Sequence, residues 1–291
     1  MSLTKTTTPT PTRTDPDSPA LRVGLIIIGD EILSGKRADK HLPKFIEILS
    51  ARGLSLAWAE YLGDDPARIT ESLRRALASG DVVFSCGGIG ATPDDHTRQC
   101  AGKAMDRPLV LHPEAERLIR ERMQDTAREQ GVPYEPDRPD NVHRLNMGVF
   151  PVGAEIIPNP YNKIPGFACQ GHAGGWVHFV PGFPVMAWPM VAWVLDTLHR
   201  DLHGLGRQLE RSVVVYGAIE SRLTPLMVDI EARFAPVKVF SLPSVDHPVH
   251  GRHIELGVKG AAQDVDAAFG ALLDGLNQLG ASRGPESVRN G

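Results

Sequence analysis

The segment DVVFSCGGIGATPDDHT, residues 81–97, joins an apolar run to a glycine-rich polar stretch. The run VVFSC has the length and composition of a strand buried inside a sheet. Three glycines follow it, and then come two adjacent aspartates and two threonines. Glycines in a loop that opens a helix let backbone N–H groups approach an anion closely. The segment therefore predicts a strand that ends at an anion-binding loop.

The chain before this segment alternates strand patterns with helix patterns. LRVGLIIIGDEI (21–32) contains a continuous β-branched run, as expected of a strand covered on both faces. LSLAWAEYL (54–62) is a second strand, and an amphipathic helix pattern follows each of the two. Asp65 and Pro66 suit the N-cap and the first position of the second helix. This order predicts an α/β fold with a doubly wound, mostly parallel sheet.

Acidic residues follow all three strands. Glu31 follows the first, Asp64 the second, and Asp94 and Asp95 the third. Ligands of open α/β sheets bind at the carboxyl ends of the strands, and carboxylates there repel phosphate unless a cation such as Mg²⁺ lies between them. The pattern predicts a phosphate and metal site. The alternative, that Asp95 or Thr97 merely caps the next helix, remains open at this stage.

Other function classes are disfavoured by composition. No Lys-Ser or Lys-Thr follows the glycines, so the loop is not a Walker A motif. A net charge of −4 gives no global basic field for nucleic acid or an anionic membrane. No run approaches the roughly 18 apolar residues of a membrane span, and the Thr- and Pro-rich start lacks the apolar core of a signal peptide. These features predict a cytoplasmic protein that has no membrane partner.

The domain boundaries are predicted from the point at which the alternation of strand and helix patterns starts again. Residues 1–20 predict a disordered tail, and residues 21–203 form the α/β domain. Residues 207–281 show the order β-α-β-β-α of a small α+β module, and residues 282–291 predict a second tail. Three histidines within SVDHPVHGRHIE (244–255) have a spacing compatible with a metal site, although surface polarity is the favoured interpretation.

Several motifs resemble the molybdopterin-binding (MoCF-type) family, and within it the CinA-like, competence/damage-inducible branch. They are GDEILSG (29–35), GDD (63–65) and GGIGATPDD (87–95). Later stretches are also similar to the family: NVHRLNMGVFPVGAEIIPNPYNKIPGF (141–167), VPGFPVMAWPM (180–190) and YGAIESRLTPLM (216–227). The resemblance extends from residue 21 to residue 260.

This resemblance implies a three-layer α/β domain followed by a KH-type module. It implies a site for molybdopterin or an adenine nucleotide, with Mg²⁺ or another divalent cation as cofactor. Asp64 and Asp95 are the implied catalytic residues, and the metal ligands are Glu31, Asp64, Asp94 and Asp95. The implied ligand-binding residues are Gly87, Gly88, Gly90, Thr92, Asn159, Pro165 and Gly166.

The resemblance implies more than one activity. CinA-like relatives suggest hydrolysis of ADP-ribose-type pyrophosphates, whereas other relatives suggest adenylyl transfer or molybdate insertion in molybdenum-cofactor biosynthesis. Ala91 and Lys163 depart from the family pattern, which motivates a third hypothesis, a non-catalytic binding or sensing protein. A homo-oligomer, dimer or trimer, is expected, and the C-terminal amidase domain of longer relatives is expected to be absent. Nucleic-acid binding is not predicted, because no GXXG loop stands between the helix at 224–234 and its neighbours, and the overall charge is acidic.

Overall fold

The computed structural model describes residues 22–204 and 208–290. The first of these segments contains a six-stranded sheet and a two-stranded ribbon, and the second contains a four-stranded sheet. The predicted disordered tail, residues 1–20, lies outside the described residues. No helix in the described part of the chain is long and apolar enough to cross a membrane.

The six-stranded sheet is mostly parallel. Its strands are β1 (Val23–Ile28), β2 (Leu56–Leu62), β3 (Val82–Cys86), β6 (Glu155–Ile157), β7 (Gly166–Gln170) and β8 (Trp176–Val180). Their order is β2-β1-β3-β8-β7-β6. The first four strands in this order run parallel, and β7 and β6 add an antiparallel edge. The ribbon pairs β4 (Leu109–Leu111) with β5 (Val149–Pro151). The fold class predicted from the sequence is therefore confirmed.

Helices cover both faces of this sheet. They are α1 (Asp30–Leu33), α2 (His41–Ser50), α3 (Pro66–Ala78), α4 (Thr97–Ala104), α5 (Pro113–Gln130), α6 (Pro139–Arg144) and α7 (Pro184–Thr197). Phe45 of α2 and Met190 of α7 pack in one core cluster, and Ile69 of α3 and Ala101 of α4 pack in the other. Because successive residues of β1 point alternately into the two clusters, all six are buried. These three layers match the expected architecture.

The second segment forms an α+β module with its own core. Its elements are β9 (Leu209–Tyr216), α8 (Glu220–Arg233), β10 (Lys238–His247), β11 (Gly251–Gly260), α9 (Ala262–Gln278) and β12 (Ser282–Asn290). The antiparallel sheet has the order β10-β11-β9-β12. Val215, Leu256 and Leu272 are fully buried in the cluster between this sheet and its helices.

The strand β12 corrects one prediction. Residues 282–291 read as a polar tail, but Ser282–Asn290 pair antiparallel with β9. The segment SRGPESVRN lacks the apolar alternation by which strands are recognised in a sequence. It forms a strand because backbone hydrogen bonds to β9 need no apolar side chains. A pairing irregularity between Arg283 and Glu286 accommodates Pro285.

Candidate functional site

The loop after β3 is built around two glycines in the left-handed region. Gly87 has φ +108° and Gly88 has φ +68°. A Cβ on Gly87 would lie 2.3 Å from the carbonyl oxygen of Ile28, and one on Gly88 would lie 2.2 Å from the hydroxyl of Thr97. This hydroxyl donates to the carbonyl oxygen of Gly87 at 3.0 Å, which closes the turn. Only glycine fits both positions.

Asp95 is bound to its own loop rather than to the following helix. Its Oδ2 accepts hydrogen bonds from the backbone N–H of Thr92 at 2.9 Å and from the hydroxyl of Thr92 at 2.6 Å. The same oxygen packs against Gly90, where a Cβ would lie 2.5 Å from it. The N-cap of α4 is His96, which makes no side-chain capping bond. The alternative that Asp95 or Thr97 caps this helix is therefore wrong, because each closes part of the loop instead.

The loops after β1 and β2 are joined through two aspartates. The N–H of Asp30 donates to Asp64 Oδ2 at 2.9 Å, and the N–H of Asp64 donates to Asp30 Oδ1 at 3.2 Å. The Asp30 carboxylate lies against Gly63, where a Cβ would meet Oδ1 at 2.4 Å. The next residue, Asp65, accepts two N–H groups in the first turn of α3, so its predicted N-cap role is confirmed.

The Asp64 carboxylate lies in an acidic environment. Burial raises its pKa above the usual aspartate value, and the charges of Asp30, Asp94 and Glu31 raise it further. Hydrogen bonding within its own loop lowers the pKa of Asp94 instead. None of the ion pairs within residues 22–204 neutralises these carboxylates. The loops therefore concentrate uncompensated negative charge.

A cavity of about 480 Å³ lies between these loops and the segments around residues 159–165 and 181–186. This volume suits a small molecule. Besides the carboxylates and the glycine loop, the lining includes apolar side chains, among them Met147, Ile164, Phe183 and Met186. The cavity thus offers backbone N–H groups and acids for a metal-bound phosphate, and apolar surface for a ring system.

The cavity brings together all but one of the residues named for the site, from four separate loops. They are Glu31, Asp64, Gly87, Gly88, Gly90, Thr92, Asp94, Asp95, Asn159 and Pro165. Gly166 is the exception, since it lies in β7 and is absent from the lining formed by the described residues. A Cβ there would lie 2.3 Å from the carbonyl oxygen of Phe179 and 2.8 Å from the methyl group of Met190. The absence of a side chain lets β7 lie close to β8 and to Met190, and the predicted ligand-binding role of Gly166 stays a prediction.

Asn159 shapes the loop between β6 and β7. Its side-chain nitrogen donates to Asn162 Oδ1 at 2.8 Å and to the carbonyl oxygen of Ile164 at 2.9 Å. Its oxygen accepts the N–H of Tyr161 at 3.0 Å. The side chain is 4% exposed and its hydrogen-bonding groups are engaged within the loop. It therefore holds the loop beside the cavity.

Three residues near the site are not among the predicted site residues. Asp30 orients Asp64, and the sequence feature that could have indicated this role is its position beside Glu31 in the GDE motif. Arg37 is the only cation in the cavity lining contributed by described residues, and it lies just beyond that motif. His41 is buried, and its Nε2 lies 3.0 Å from the carbonyl oxygen of Gly182 in another wall of the cavity. A separation of 141 residues left no sequence signal for this last contact.

The carboxylates do not form a complete metal cage. Across residues 22–204 and 208–290, no group of three or more His, Cys, Asp or Glu side chains is arranged to hold a metal ion. Mg²⁺ at phosphate sites needs fewer protein ligands than such a cage supplies, because one or two carboxylates hold it together with ligand phosphates and water. The raised pKa of Asp64 reports burial and repulsion that a cation would relieve. The residues fit a cation that is bound jointly with a phosphate.

The three histidines of the second module do lie together. The ring centroids of His247, His250 and His253 are 4.9 to 5.6 Å apart. Nδ1 of His247 accepts two backbone N–H groups, so the proton of its neutral ring is on Nε2 and that atom is not free to ligate. His247 is exposed and His250 is half-buried, but His253 is buried, so the interpretation as surface polarity fits only the first two.

Residues 24–200 match the model of a family described as a probable molybdopterin binding domain. This range is more than half of the chain and contains every loop of the cavity. The chain belongs to this family. Membership of the molybdopterin-binding family confirms the resemblance seen in the motifs, and the matched range ends before the second module begins.

Individual relatives extend the similarity. A CinA-like protein of Desulfovibrio desulfuricans is 32% identical over 89% of this chain and 60% of its own length. A protein of Pyrobaculum calidifontis is 28% identical over 88% of this chain and 94% of its own length. The chain therefore spans about 60% of the first relative and most of the second. Because each match covers 88% or more of this chain, it extends beyond the six-stranded sheet into the second module.

A solved structure shares the fold. It is the protein CinA of Thermoplasma acidophilum, described as having unknown function, with a TM-score of 0.51 and 24% identity. The match covers 60% of this chain and 97% of that one. At this identity the comparison supports the fold alone.

Proposed function

We propose that the cavity binds the pyrophosphate of an adenine nucleotide or a pterin together with Mg²⁺ or another divalent cation, and that the protein hydrolyses pyrophosphates of the ADP-ribose type. One observation carries this proposal: a glycine turn and four carboxylates without ion-pair partners line the same cavity. Glycine N–H groups favour an anion, while the carboxylates favour a cation. A metal-bound phosphate satisfies both.

Each part of the site has a role in this reaction. The backbone N–H groups of Gly88 and Gly90 bind phosphate oxygens at close range, while that of Gly87 donates to the carbonyl oxygen of Val180 at 3.0 Å and fixes the loop. A divalent cation held by Asp64, with Glu31 and Asp94 nearby, would supply charge neutralisation of the phosphates. The apolar lining holds the organic group and keeps water away from all but the reacting phosphate.

Asp95 is the proposed base. Its Oδ2 is occupied by Thr92, whereas no hydrogen bond within the described residues engages Oδ1. A water oxygen attacks one phosphorus atom, the bridging P–O bond breaks, and Oδ1 accepts the proton released by the water. The products of ADP-ribose are AMP and ribose 5-phosphate.

The test is incubation of the full chain with ADP-ribose and Mg²⁺, Mn²⁺ or Co²⁺, followed by chromatography for AMP. We expect metal-dependent AMP from the native protein and from Asp65→Asn, and none from Asp64→Asn. The two variants are matched, because the aspartates are adjacent but only Asp64 lines the cavity. AMP release that is equal in all three proteins, or that needs no metal, would contradict the proposal.

Molybdopterin chemistry is the second candidate. The family match favours it, since residues 24–200 fit a domain described as molybdopterin-binding. If ADP-ribose gives no AMP, we expect tight binding of molybdopterin, with adenylyl transfer or molybdate insertion as the activities to assay. Saturable binding without any product would instead identify a binding or sensing protein.

A further inference from the structure

Lys163, in the loop between β6 and β7, has a backbone conformation that is rare for its residue type. Its φ is +66°, in the left-handed region that glycine adopts without strain and that a lysine seldom occupies. Within residues 22–204 and 208–290, Asp106 is the only other non-glycine residue with a positive φ. Strained backbone persists only where surrounding contacts hold it, and it is common at ligand clamps. The contacts of Lys163 therefore indicate what holds this loop.

The side chain of Lys163 reaches α5 rather than the cavity. Its Nζ lies 2.6 Å from Asp125 Oδ2 and 4.0 Å from Glu121 Oε2. The residues on either side of it, Asn162 and Ile164, line the cavity, whereas Lys163 is not part of the lining that the described residues form. The ion pair thus connects one wall of the cavity to a helix 38 residues earlier in the chain.

The two acids on α5 belong to a chain of alternating charges. Glu121 also pairs with Arg117, and Asp125 pairs with Arg128 at 3.3 Å. Lys163 lies between the two acids, and its ammonium group holds the pKa of Asp125 below the usual aspartate value. Ion pairs in a network contribute more than isolated surface pairs do. The loop is therefore attached to α5 by the most favourable kind of surface ion pair.

The same helix supports a second part of the cavity wall. α5 packs on the 3₁₀ turn Leu145–Gly148, where a Cβ on Gly148 would lie 3.0 Å from the Cβ of Ala115. Met147 of this turn lines the cavity. α5 therefore supports Met147 through close apolar packing and Ile164 through the ion pair. Of these two attachments, only the ion pair is weakened by salt.

We propose that Lys163 is a positioning residue: its ion pair with Asp125 fixes the loop that carries Asn162 and Ile164 into the cavity, and the order of this wall falls as ionic strength rises. Lys163 acts through its two neighbours and takes no part in the reaction itself. Which ligand the wall contacts rests on the proposed function, but the attachment of the loop to α5 does not.

Hydrogen exchange of the full chain without ligand tests the attachment. The N–H groups of Tyr161, Lys163 and Ile164 are hydrogen-bonded within the loop, so a peptide spanning 159–166 reports its order. We expect this peptide to exchange about fivefold faster in Asp125→Asn, the upper range for an exposed ion pair. Exchange of β3 should not change, because the effect is local. In the native protein, about 1 M NaCl should accelerate exchange of the peptide to the same extent.

Three further variants separate the ion pair from other effects. Glu129→Gln is the matched control, because Glu129 lies on the same helix but pairs with Arg122 at 2.8 Å, and it should leave the exchange of the loop unchanged. Lys163→Arg keeps the charge and should keep the slow exchange. Lys163→Asn removes the charge but tolerates a positive φ, so it should exchange as fast as Asp125→Asn.

Steady-state hydrolysis of ADP-ribose with Mg²⁺ measures the consequence for the site. In Asp125→Asn we expect KM to rise about fivefold with kcat unchanged, because a looser wall weakens binding of the organic group and leaves the glycine loop and Asp95 as they are. Glu129→Gln should change neither constant, and Lys163→Arg should restore the native KM. A fall in kcat without a change in KM would contradict a positioning role.

The exchange result decides the proposal. Equal exchange of the 159–166 peptide in the native protein and in Asp125→Asn would overturn it, as would equal acceleration by Asp125→Asn and Glu129→Gln. If the native protein releases no AMP, the proposed hydrolysis is wrong. Faster exchange in Asp125→Asn would still establish that the ion pair positions this wall.

Discussion

The carboxylates at the strand ends of the six-stranded sheet and those of the second module are arranged in opposite ways. At the strand ends of the six-stranded sheet, four of them line one cavity without an ion-pair partner in the described chain. On the four-stranded sheet, Glu255 accepts a hydrogen bond from Ser212 at 2.7 Å and pairs with Arg289 at 3.2 Å. Asp266 likewise pairs with Arg211 at 2.8 Å.

The difference separates acids that support folding from acids that are available to a ligand. A paired carboxylate already has its cation, so it has little to offer a metal or phosphate. The carboxylates of an unpaired cluster repel one another until a ligand binds. Such destabilisation is common at functional sites. Four experiments test or sharpen this contrast, from the largest expected effect to the smallest.

The largest effect is expected from Asp95→Asn. Its amide oxygen still accepts the two hydrogen bonds from Thr92, so the loop should keep its shape. Loss of the carboxylate base should lower AMP formation from ADP-ribose roughly 10³-fold. Circular dichroism should show an unchanged fold, and undiminished turnover would remove Asp95 from the mechanism.

Acidification should weaken the first sheet through two buried histidines. His178 and His199 lie with their Nε2 atoms 2.8 Å apart, and burial lowers both pKa values, that of His199 to about 4. A folded pKa below the unfolded value of 6.5 means that stability is complete above 6.5 and is lost as pH falls through 4. His199 alone should cost about 3 kcal/mol by the end of that range.

Urea unfolding across this pH range measures the loss. Other groups also titrate there, so the informative quantity is the difference between the native protein and His199→Gln. A smaller pH dependence in the variant supports the assignment. An identical dependence would show that the histidine pair does not control acid stability.

Truncation after Ala281 removes β12 and exposes the edge of β9. Seven residue pairs between these strands are lost, and we expect the unfolding free energy of the second module to fall by about 2 kcal/mol. The cavity belongs to the other sheet, so metal-dependent AMP release should not change. A truncated chain of unchanged stability would show that β12 contributes little in solution.

The smallest effect compares one acid from each sheet. Asp64→Asn relieves repulsion among unpaired carboxylates and should stabilise the metal-free protein by about 0.5 kcal/mol. Glu255→Gln weakens a paired acid and should destabilise by a similar amount. Thermal unfolding at neutral pH measures both, and shifts of the same sign would contradict the contrast drawn between the sheets.

The sequence by itself determined the parallel sheet, the acidic strand ends and the glycine loop. These features are local: a β-branched run forms β1, Gly87 and Gly88 occupy left-handed turns, and Asp65 with Pro66 starts α3. Hydrophobic periodicity and turn-forming residues are properties of short stretches of sequence, so they can be recognised without knowing the fold.

Only the tertiary structure decided which of these groups meet and what each one contacts. It packed Gly166 against Phe179 and Met190, placed Arg37 in the cavity lining, and formed β12 from a polar segment. The contact of His143 with the carbonyl oxygen of Ala91 likewise joins loops far apart in the chain. Such contacts arise from the close approach of distant backbone segments, and no periodicity within a short window records them.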